Sequence, residues 1–266
     1  MSLSWGHHKP SKFHQKILDL HNNHLKNKYL KKKIRKTLSR IFQVYDVSID
    51  GLKFRCHVLD NATERFIVFN TQKEELDVVL SELCFGDVFL DIGANCGLFS
   101  MLSSQKVGKM GRVIAVEPNP IMINRFAFNV NSNSIENIEL VKCAVGDESG
   151  EMYLDVIERQ MGQSSIIKSS SAKAIPVRVV TLLELLEESK VEKIDVMKID
   201  IEGYEDKALV PFFESAPRSL WPKSILLEVR HVGQANGGHL ALLSELGYQI
   251  KWKGAYDVLM TDPARS

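Results

Sequence analysis

The residues of this chain best suited to chemistry cluster in DVFLDIGANCG, Asp87 to Gly97, where the apolar run Val88 to Leu90 ends in Asp91 and enters a turn punctuated by Gly93 and Gly97. Leu98, Phe99, Met101 and Leu102 follow at near-helical spacing, so the unit reads as strand, loop, helix. Glycine in such a loop permits positive φ and close approach to a ligand, and the following helix offers unpaired amide donors in its first turn. The spacing is D-x-G-x-x-x-G rather than G-x-G-x-x-G. Asn95 stands where a dinucleotide fingerprint needs its second glycine, and Asp91 adds a charge that repels phosphate and attracts a cation.

The next apolar run, Arg112 to Val116, is closed by Glu117 and Pro118, with Glu117 26 residues after Asp91. A carboxylate at the end of that strand suits the two hydroxyls of a ribose. A ligand that combines adenosine with cationic groups and has no phosphate is S-adenosylmethionine, which is the expected cofactor. A later segment, Ile194 to Gly203 (IDVMKIDIEG), reads as a buried strand whose tip carries Asp200 and Glu202. In doubly wound sheets ligands bind outside the carboxyl ends of the strands, so this tip faces the same crevice as Asp91. The alternative is a helix start, where Glu202 and Glu205 would favour the macrodipole.

These residues need a scaffold, and the chain alternates accordingly. From Asp87 onward strand-like runs at 87–91, 112–117, 138–143, 176–180, 194–200 and 224–229 alternate with helical patterns, which predicts an α/β fold with a parallel sheet covered on both faces. Gly247 to Ile250 and Tyr256 to Met260 predict a terminal hairpin. Upstream, residues 43–70 alternate around Asp50-Gly51 and Asp60-Asn61 and predict short antiparallel hairpins, followed by a helix over Leu76 to Leu83. The expected organisation is a basic helical arm at 1–42, a hairpin preface with its lead-in helix at 43–85, and a catalytic domain at 86–266. Gln160 to Ala174, with five serines, reads as a mobile loop placed to fold over the pocket.

At 266 residues and 44% hydrophobic content the chain can bury one substantial core with a smaller appendage. No apolar run reaches the length of a membrane span and the start is polar, so a cytoplasmic protein is expected. Cys56, Cys84, Cys96 and Cys143 form no C-x-x-C pair, which argues against a disulfide framework or a zinc site. Residues 1–40 hold eleven Lys and Arg against the single acid Asp19, a local charge of +10 that the rest of the chain, at −9, brings to the overall +1. Leu30, Ile34, Leu38 and Ile41 recur at helical spacing among these lysines. A helix packed on its own domain is the simpler reading, with contact to an anionic surface as the alternative. His21 and His24 can share a helix face, but Asp19 is the single acid near them and no cysteine stands nearby, so no metal site is expected.

The chain resembles the FkbM family of S-adenosylmethionine-dependent methyltransferases over roughly residues 66–250. The resemblance rests on GDVFLDIGANCGLFS (Gly86 to Ser100), GRVIAVEPNP (Gly111 to Pro120), NVNSN (Asn129 to Asn133), LVKCAVGDESG (Leu140 to Gly150), VVTLLELL (Val179 to Leu186), IDVMKIDIEGYE (Ile194 to Glu205), ILLEV (Ile225 to Val229) and LGYQI (Leu246 to Ile250). One departure is Leu183, where the family usually has an acid after Thr-Leu. The resemblance implies a Rossmann-like, seven-stranded methyltransferase sheet, mostly parallel with a C-terminal antiparallel hairpin, and O-methylation of a sugar, glycan or secondary metabolite. Carried over by position, Asp91, Gly93, Asn95 and Gly97 line the methionine side of the cofactor, Glu117 holds the ribose, Asn119, Ala144 and Val145 border the adenine, and Asp200 and Glu202 stand at the mouth.

Methyl transfer to an alcohol gains from alignment and from a positioned base. Asp200 is the first candidate for that base, Glu202 the second and His231 the third, with Glu228 able to orient a partner. Asp200, Glu202 and Glu228 are also hard oxygen ligands of the kind magnesium accepts, but their spacing does not establish a site and no metal is expected. Two other readings stand beside this one. A nucleic-acid methyltransferase has only the basic arm in its favour, and the chain lacks the N/D-P-P-Y/F tetrapeptide. A non-catalytic cofactor-binding module is disfavoured by the presence of Gly93, Gly97, Glu117 and Asp200 together.

Overall fold

The computed structural model describes residues 3–70, 73–155, 165–167, 174–229 and 238–265. Its first elements are helix α1 (Lys12–Asp19), a five-residue π-helical turn (Leu20–His24) and helix α2 (Lys28–Ile41), with Ser11 and Asn27 capping the two helices. The arm packs on the domain through Leu18, His21 and Leu38, all buried, and the His21 ring meets Phe69 edge to face at 5.2 Å. Lys28, Lys32, Lys33 and Lys36 remain exposed on α2.

Strands β1 (Val44–Ile49) and β2 (Leu52–His57) form the expected hairpin, its turn made by Asp50 and Gly51, both at positive φ. The buried pair Arg55–Asp46 ties the start of the chain to this hairpin. Arg55 donates to the carbonyls of Leu3 and Ser4, and Asp46 accepts from the amides of Gly6 and His8. No second hairpin forms at Asp60-Asn61. Asn61 instead accepts from the Glu64 amide and starts helix α3 (Ala62–Phe69), and Arg125 holds that turn by bonding both Asp60 and Glu64. Helix α4 (Lys73–Glu82) follows, three residues earlier than expected.

The remaining elements are β3 (Val88–Ile92), α5 (Leu98–Val107), β4 (Arg112–Val116), α6 (Pro120–Asn133), β5 (Ile138–Val141), β6 (Ala144–Val145), β7 (Gly150–Asp155), β8 (Ser165–Ile167), β9 (Ala174–Val180), α7 (Leu182–Glu188), β10 (Val196–Ile199), α8 (Glu205–Ser215), β11 (Ser224–Glu228), α9 (Gly238–Glu245), β12 (Gln249–Lys253) and β13 (Asp257–Thr261). Seven of these strands form one sheet in the order β12-β13-β11-β10-β3-β4-β5. From β11 to β5 all pairs are parallel, while β13 runs antiparallel to both β11 and β12. The strand order reverses between β3 and β10, which makes their carboxyl ends the switch point where such sheets bind ligands.

The run at 176–180, expected among the parallel core strands, belongs elsewhere. It is β9, part of a four-stranded sheet of order β6-β9-β7-β8, where Val177 and Val179 close a small core with Ala144 and Leu154. The run at 138–143 likewise ends early, and the chain leaves the main sheet after Val141 to enter this second one as β6. Of the serine-rich segment 160–174, Ser165–Ile167 is the strand β8 paired with β7, and Ala174 opens β9; the rest lies outside the described residues.

The two faces of the main sheet feed two cores. Phe89, Val113, Ala115, Val196, Leu226 and Leu259 pack on one side with α5, the hairpin and the N-terminal arm, so the arm and the preface share their core with the sheet. Leu90, Ile114, Met197, Leu227 and Val258 pack on the other with α7 and α8. Period-two alternation then puts Asp91, Glu117, Lys198, Asp200, Glu228 and Asp257 at first-face positions, gathered at the edge that holds the carboxyl ends of the parallel strands. Among the described residues no helix is long and apolar enough to cross a membrane.

Candidate active site

Glu117 follows β4 directly and is buried, yet it lines the cleft at the carboxyl edge. Its Oε2 accepts the Asn95 amide at 2.8 Å and its Oε1 accepts the Asn119 amide at 2.9 Å. A carboxylate offers about two lone-pair positions per oxygen, so each oxygen retains one, and the pair matches a vicinal diol. Burial pushes the carboxyl up to about 7, against the pull of the two amides and of Lys198. Val116, Pro118, Cys143, Ala144, Val145 and Leu154 form an apolar wall around it, as a planar base requires.

The glycine loop is built for packing. Gly93 has φ +78, and a Cβ there would lie 2.0 Å from the Asp200 carbonyl oxygen. Gly97 has φ +89, and its Cβ would meet the Phe126 ring at 2.2 Å. These positions are glycine because β10 and α6 press against the loop; room for a ligand is not the primary demand. Asn95 lines the cleft, and its left-handed backbone (φ 53) aims its amide at Glu117. Its Oδ1 accepts from Asn61 Nδ2 and from the Cys96 amide, both at 2.8 Å.

The other end of the cleft centres on Lys198, a side chain the sequence reading did not single out. Its Nζ lies 3.3 Å from the Gly93 carbonyl oxygen, 3.5 Å from Asp91 Oδ1 and 3.7 Å from Asp200 Oδ2, and 5.4 Å from the Phe99 ring centroid. Burial would lower its pKa, but the carboxylates of Asp200 and Asp91 outweigh this and hold it above the ordinary lysine value. Asp91 has no exposed surface and accepts the Ser100 hydroxyl at 2.6 Å.

Asp200 reaches the cleft with its side chain 37% exposed, and Glu202, Glu228 and Asp257 share the wall. The helix-start role considered for Glu202 falls to Glu205, whose Oε1 accepts the amides of Ile201 and Gly203. Ala62, Thr63 and Phe66 of α3 close the opposite side.

The expected set therefore divides. Gly93, Asn95, Glu117, Ala144, Val145, Asp200 and Glu202 line one cleft. Asp91, Gly97 and Asn119, expected on the cofactor wall, stand one layer behind it: Asp91 against Lys198, Gly97 under Phe126, and Asn119 as the cap of α6, where it accepts the Ile121 amide. His231 lies outside the described residues. Leu183, the second residue of α7, packs half-buried against the core, and Glu184 supplies the acid of that helix's capping box with Thr181.

Residues 91–250 match the family described as Methyltransferase FkbM domain. The chain is 25% identical over 138 residues to the hexuronic acid methyltransferase AglP of Haloferax volcanii, an alignment covering 52% of this chain and 55% of that protein. It is 26% identical over 201 residues to the 31-O-demethyl-FK506 methyltransferase FkbM of Streptomyces tacrolimicus, covering 64% and 75%. Thus the chain spans about half the length of AglP. Among solved structures, precorrin-6y C5,15-methyltransferase from Geobacter metallireducens is 16% identical with a TM-score of 0.43, covering 70% of this chain and 87% of that one. Because the domain match covers more than half of its 266 residues, the chain belongs to the FkbM methyltransferase family.

Proposed function

We propose that this methyltransferase binds S-adenosylmethionine along the carboxyl edge of its main sheet and methylates a hydroxyl of a sugar, glycan or secondary metabolite. The observation that carries the cofactor is Glu117, whose two oxygens each keep one acceptor position beside an apolar wall. The rest of the cleft fits the same molecule. It is acidic, which suits a sulfonium and an ammonium, and it offers no cluster of basic side chains among the described residues for a pyrophosphate. Hexuronic acid and FK506 appear in the names of two relatives, and both support a hydroxyl-rich acceptor.

When bound, the cofactor supplies an electrophilic methyl group. The chain's own residues hold the partners in line, which can contribute about 7 to 11 kcal/mol. Asp200, partly exposed at the mouth, receives the acceptor's proton, a role worth about 10²- to 10⁴-fold, with Glu202 beside it as the second carboxylate. The exposed lysines of α2 are offered to an anionic surface or acceptor. The reading is tested by incubating the protein with methyl-labelled S-adenosylmethionine and a panel of sugars, oligosaccharides and polyketide alcohols. Label in an alkali-stable methyl ether supports it. Label only in amines, carboxyl groups or RNA overturns the acceptor class.

A further inference from the structure

We propose that Lys198 is the ligand for the α-carboxylate of bound S-adenosylmethionine, so that one buried ammonium in the floor of the cleft selects cofactors with an intact amino-acid end. The inference rests on the cofactor reading above.

Position is the first support. Lys198 on β10 and Glu117 at the end of β4 share one face of the sheet with β3 between them. Lys198 is in register with Asp91 and through it with Ala115, two residues before Glu117, so two strand spacings and two residues of rise separate the backbones by about 12 Å, which the two side chains, a ribose and the short amino-acid chain attached to it can bridge. Lys198 also touches the Gly93 carbonyl, under the loop opposite the diol-binding end of the cleft.

Donor capacity is the second. An ammonium has three N–H groups. The Gly93 carbonyl engages one and Asp91, at 3.5 Å, attracts another. Asp200 Oδ2 lies at 3.7 Å, beyond hydrogen-bond reach, so it contributes charge without using the third. That N–H is left for a ligand.

Charge is the third. Lys198 is the sole basic side chain among the described residues lining the cleft, so it is the charged group there that an anion would meet. A bare ammonium there would repel a sulfonium. Asp91 behind it and Asp200 beside it offset that repulsion.

The test uses calorimetry with three neutral-sulfur ligands: S-adenosylhomocysteine, its decarboxylated analogue, and 5′-methylthioadenosine, which lacks the whole amino-acid end. On the wild-type protein, loss of the carboxylate should weaken binding by about tenfold or more. In Lys198→Met, S-adenosylhomocysteine should fall to the level of the decarboxylated analogue while 5′-methylthioadenosine binds as before. Equal wild-type affinity for the acid and its decarboxylated analogue overturns the proposal. So does a variant that weakens all three ligands alike, which would make Lys198 a structural counterion for Asp91. If the variant does not fold, equal wild-type affinity for the acid and its decarboxylated analogue still overturns the proposal, and Lys198→Arg, which keeps the charge, takes the place of Lys198→Met as the folded control. If the wild type binds none of the three, the cofactor reading itself fails and the assignment falls with it.

Discussion

Lys198 and Asp91 are register partners on the parallel strands β10 and β3, with Nζ 3.5 Å from Oδ1 at the point where the strand order reverses. The acid that ends the first core strand therefore spends its charge on a lysine of the neighbouring strand and acts on a ligand only through it. Asp200, two residues after Lys198 and just past the end of β10, is a carboxylate that reaches the cleft. Charge in this floor is layered: a buried acid, a buried base, then a partly exposed acid.

Gly97 is held to glycine by Phe126, and its replacement should show as lost stability. Gly97→Ala forces positive φ on a side chain and drives its Cβ to 2.2 Å from a buried ring, at a cost of about 2 kcal/mol or more. Gly203, also at positive φ but with nothing within 4 Å of its Cβ position, is the control, and Gly203→Ala should cost about 1 kcal/mol. Urea unfolding of both variants measures the difference. Equal losses would show that Phe126 imposes no demand.

Glu117 should make cofactor affinity depend on pH near neutrality. Its carboxyl titrates at about 7 in the free protein, raised from an ordinary 4.5 by burial, and two hydroxyl donors favour the ionised form. Ligand binding below that pH must expel a proton, so affinity rises as pH rises through about 7 and then levels. The fall on the acid side approaches tenfold per unit. The free protein follows the opposite sign: this group binds more protons folded than unfolded between 4.5 and about 7, so its contribution to stability declines as pH rises through that window. Calorimetry with S-adenosylhomocysteine at about pH 6 and about pH 8, in buffers of different ionisation enthalpy, reads both the affinity and the released proton. Glu117→Gln should flatten the profile; a wild-type affinity independent of pH would contradict the assignment.

Asp200 is expected to act in turnover more than in binding. Asp200→Asn keeps the shape of the side chain, so S-adenosylhomocysteine affinity should stay within a few fold while the rate at saturation drops by about 10²- to 10⁴-fold. Weaker binding of the sulfonium than of the neutral thioether product, with the saturated rate preserved, would instead make Asp200 an electrostatic holder of the cofactor.

Much of this arrangement is legible in the sequence, and the failures have physical causes. Glu117 stands out because an acid followed by Pro118 ends an apolar strand, a combination with few other uses. The strand at 176–180 is equally visible, two residues short of β9 at its start, but a period of two reports a strand and not its partners, so its sheet is not legible. Asp60-Asn61 suits a hairpin turn or a helix cap, and the choice is made by Arg125, 65 residues away from Asp60, which no local pattern reveals. Lys198 carries a signal of its own: a lone charge inside the four-residue strand VMKI needs a buried partner, and that partner appears only once β3 is known to lie alongside. Ala62, Thr63 and Phe66 carry no chemistry of their own, and only the packing of α3 brings them to the cleft.

The central claim is that the carboxyl edge of the main sheet holds an adenosine through Glu117. Calorimetric titration of S-adenosylhomocysteine into the wild-type protein and into Glu117→Ala tests it directly. The wild type should show saturable one-site binding. The variant, folded by circular dichroism, should bind at least tenfold more weakly, because it loses two charge-assisted hydrogen bonds worth about 1.5 to 3 kcal/mol each. No binding by the wild type, or equal affinity in the two proteins, would contradict the account.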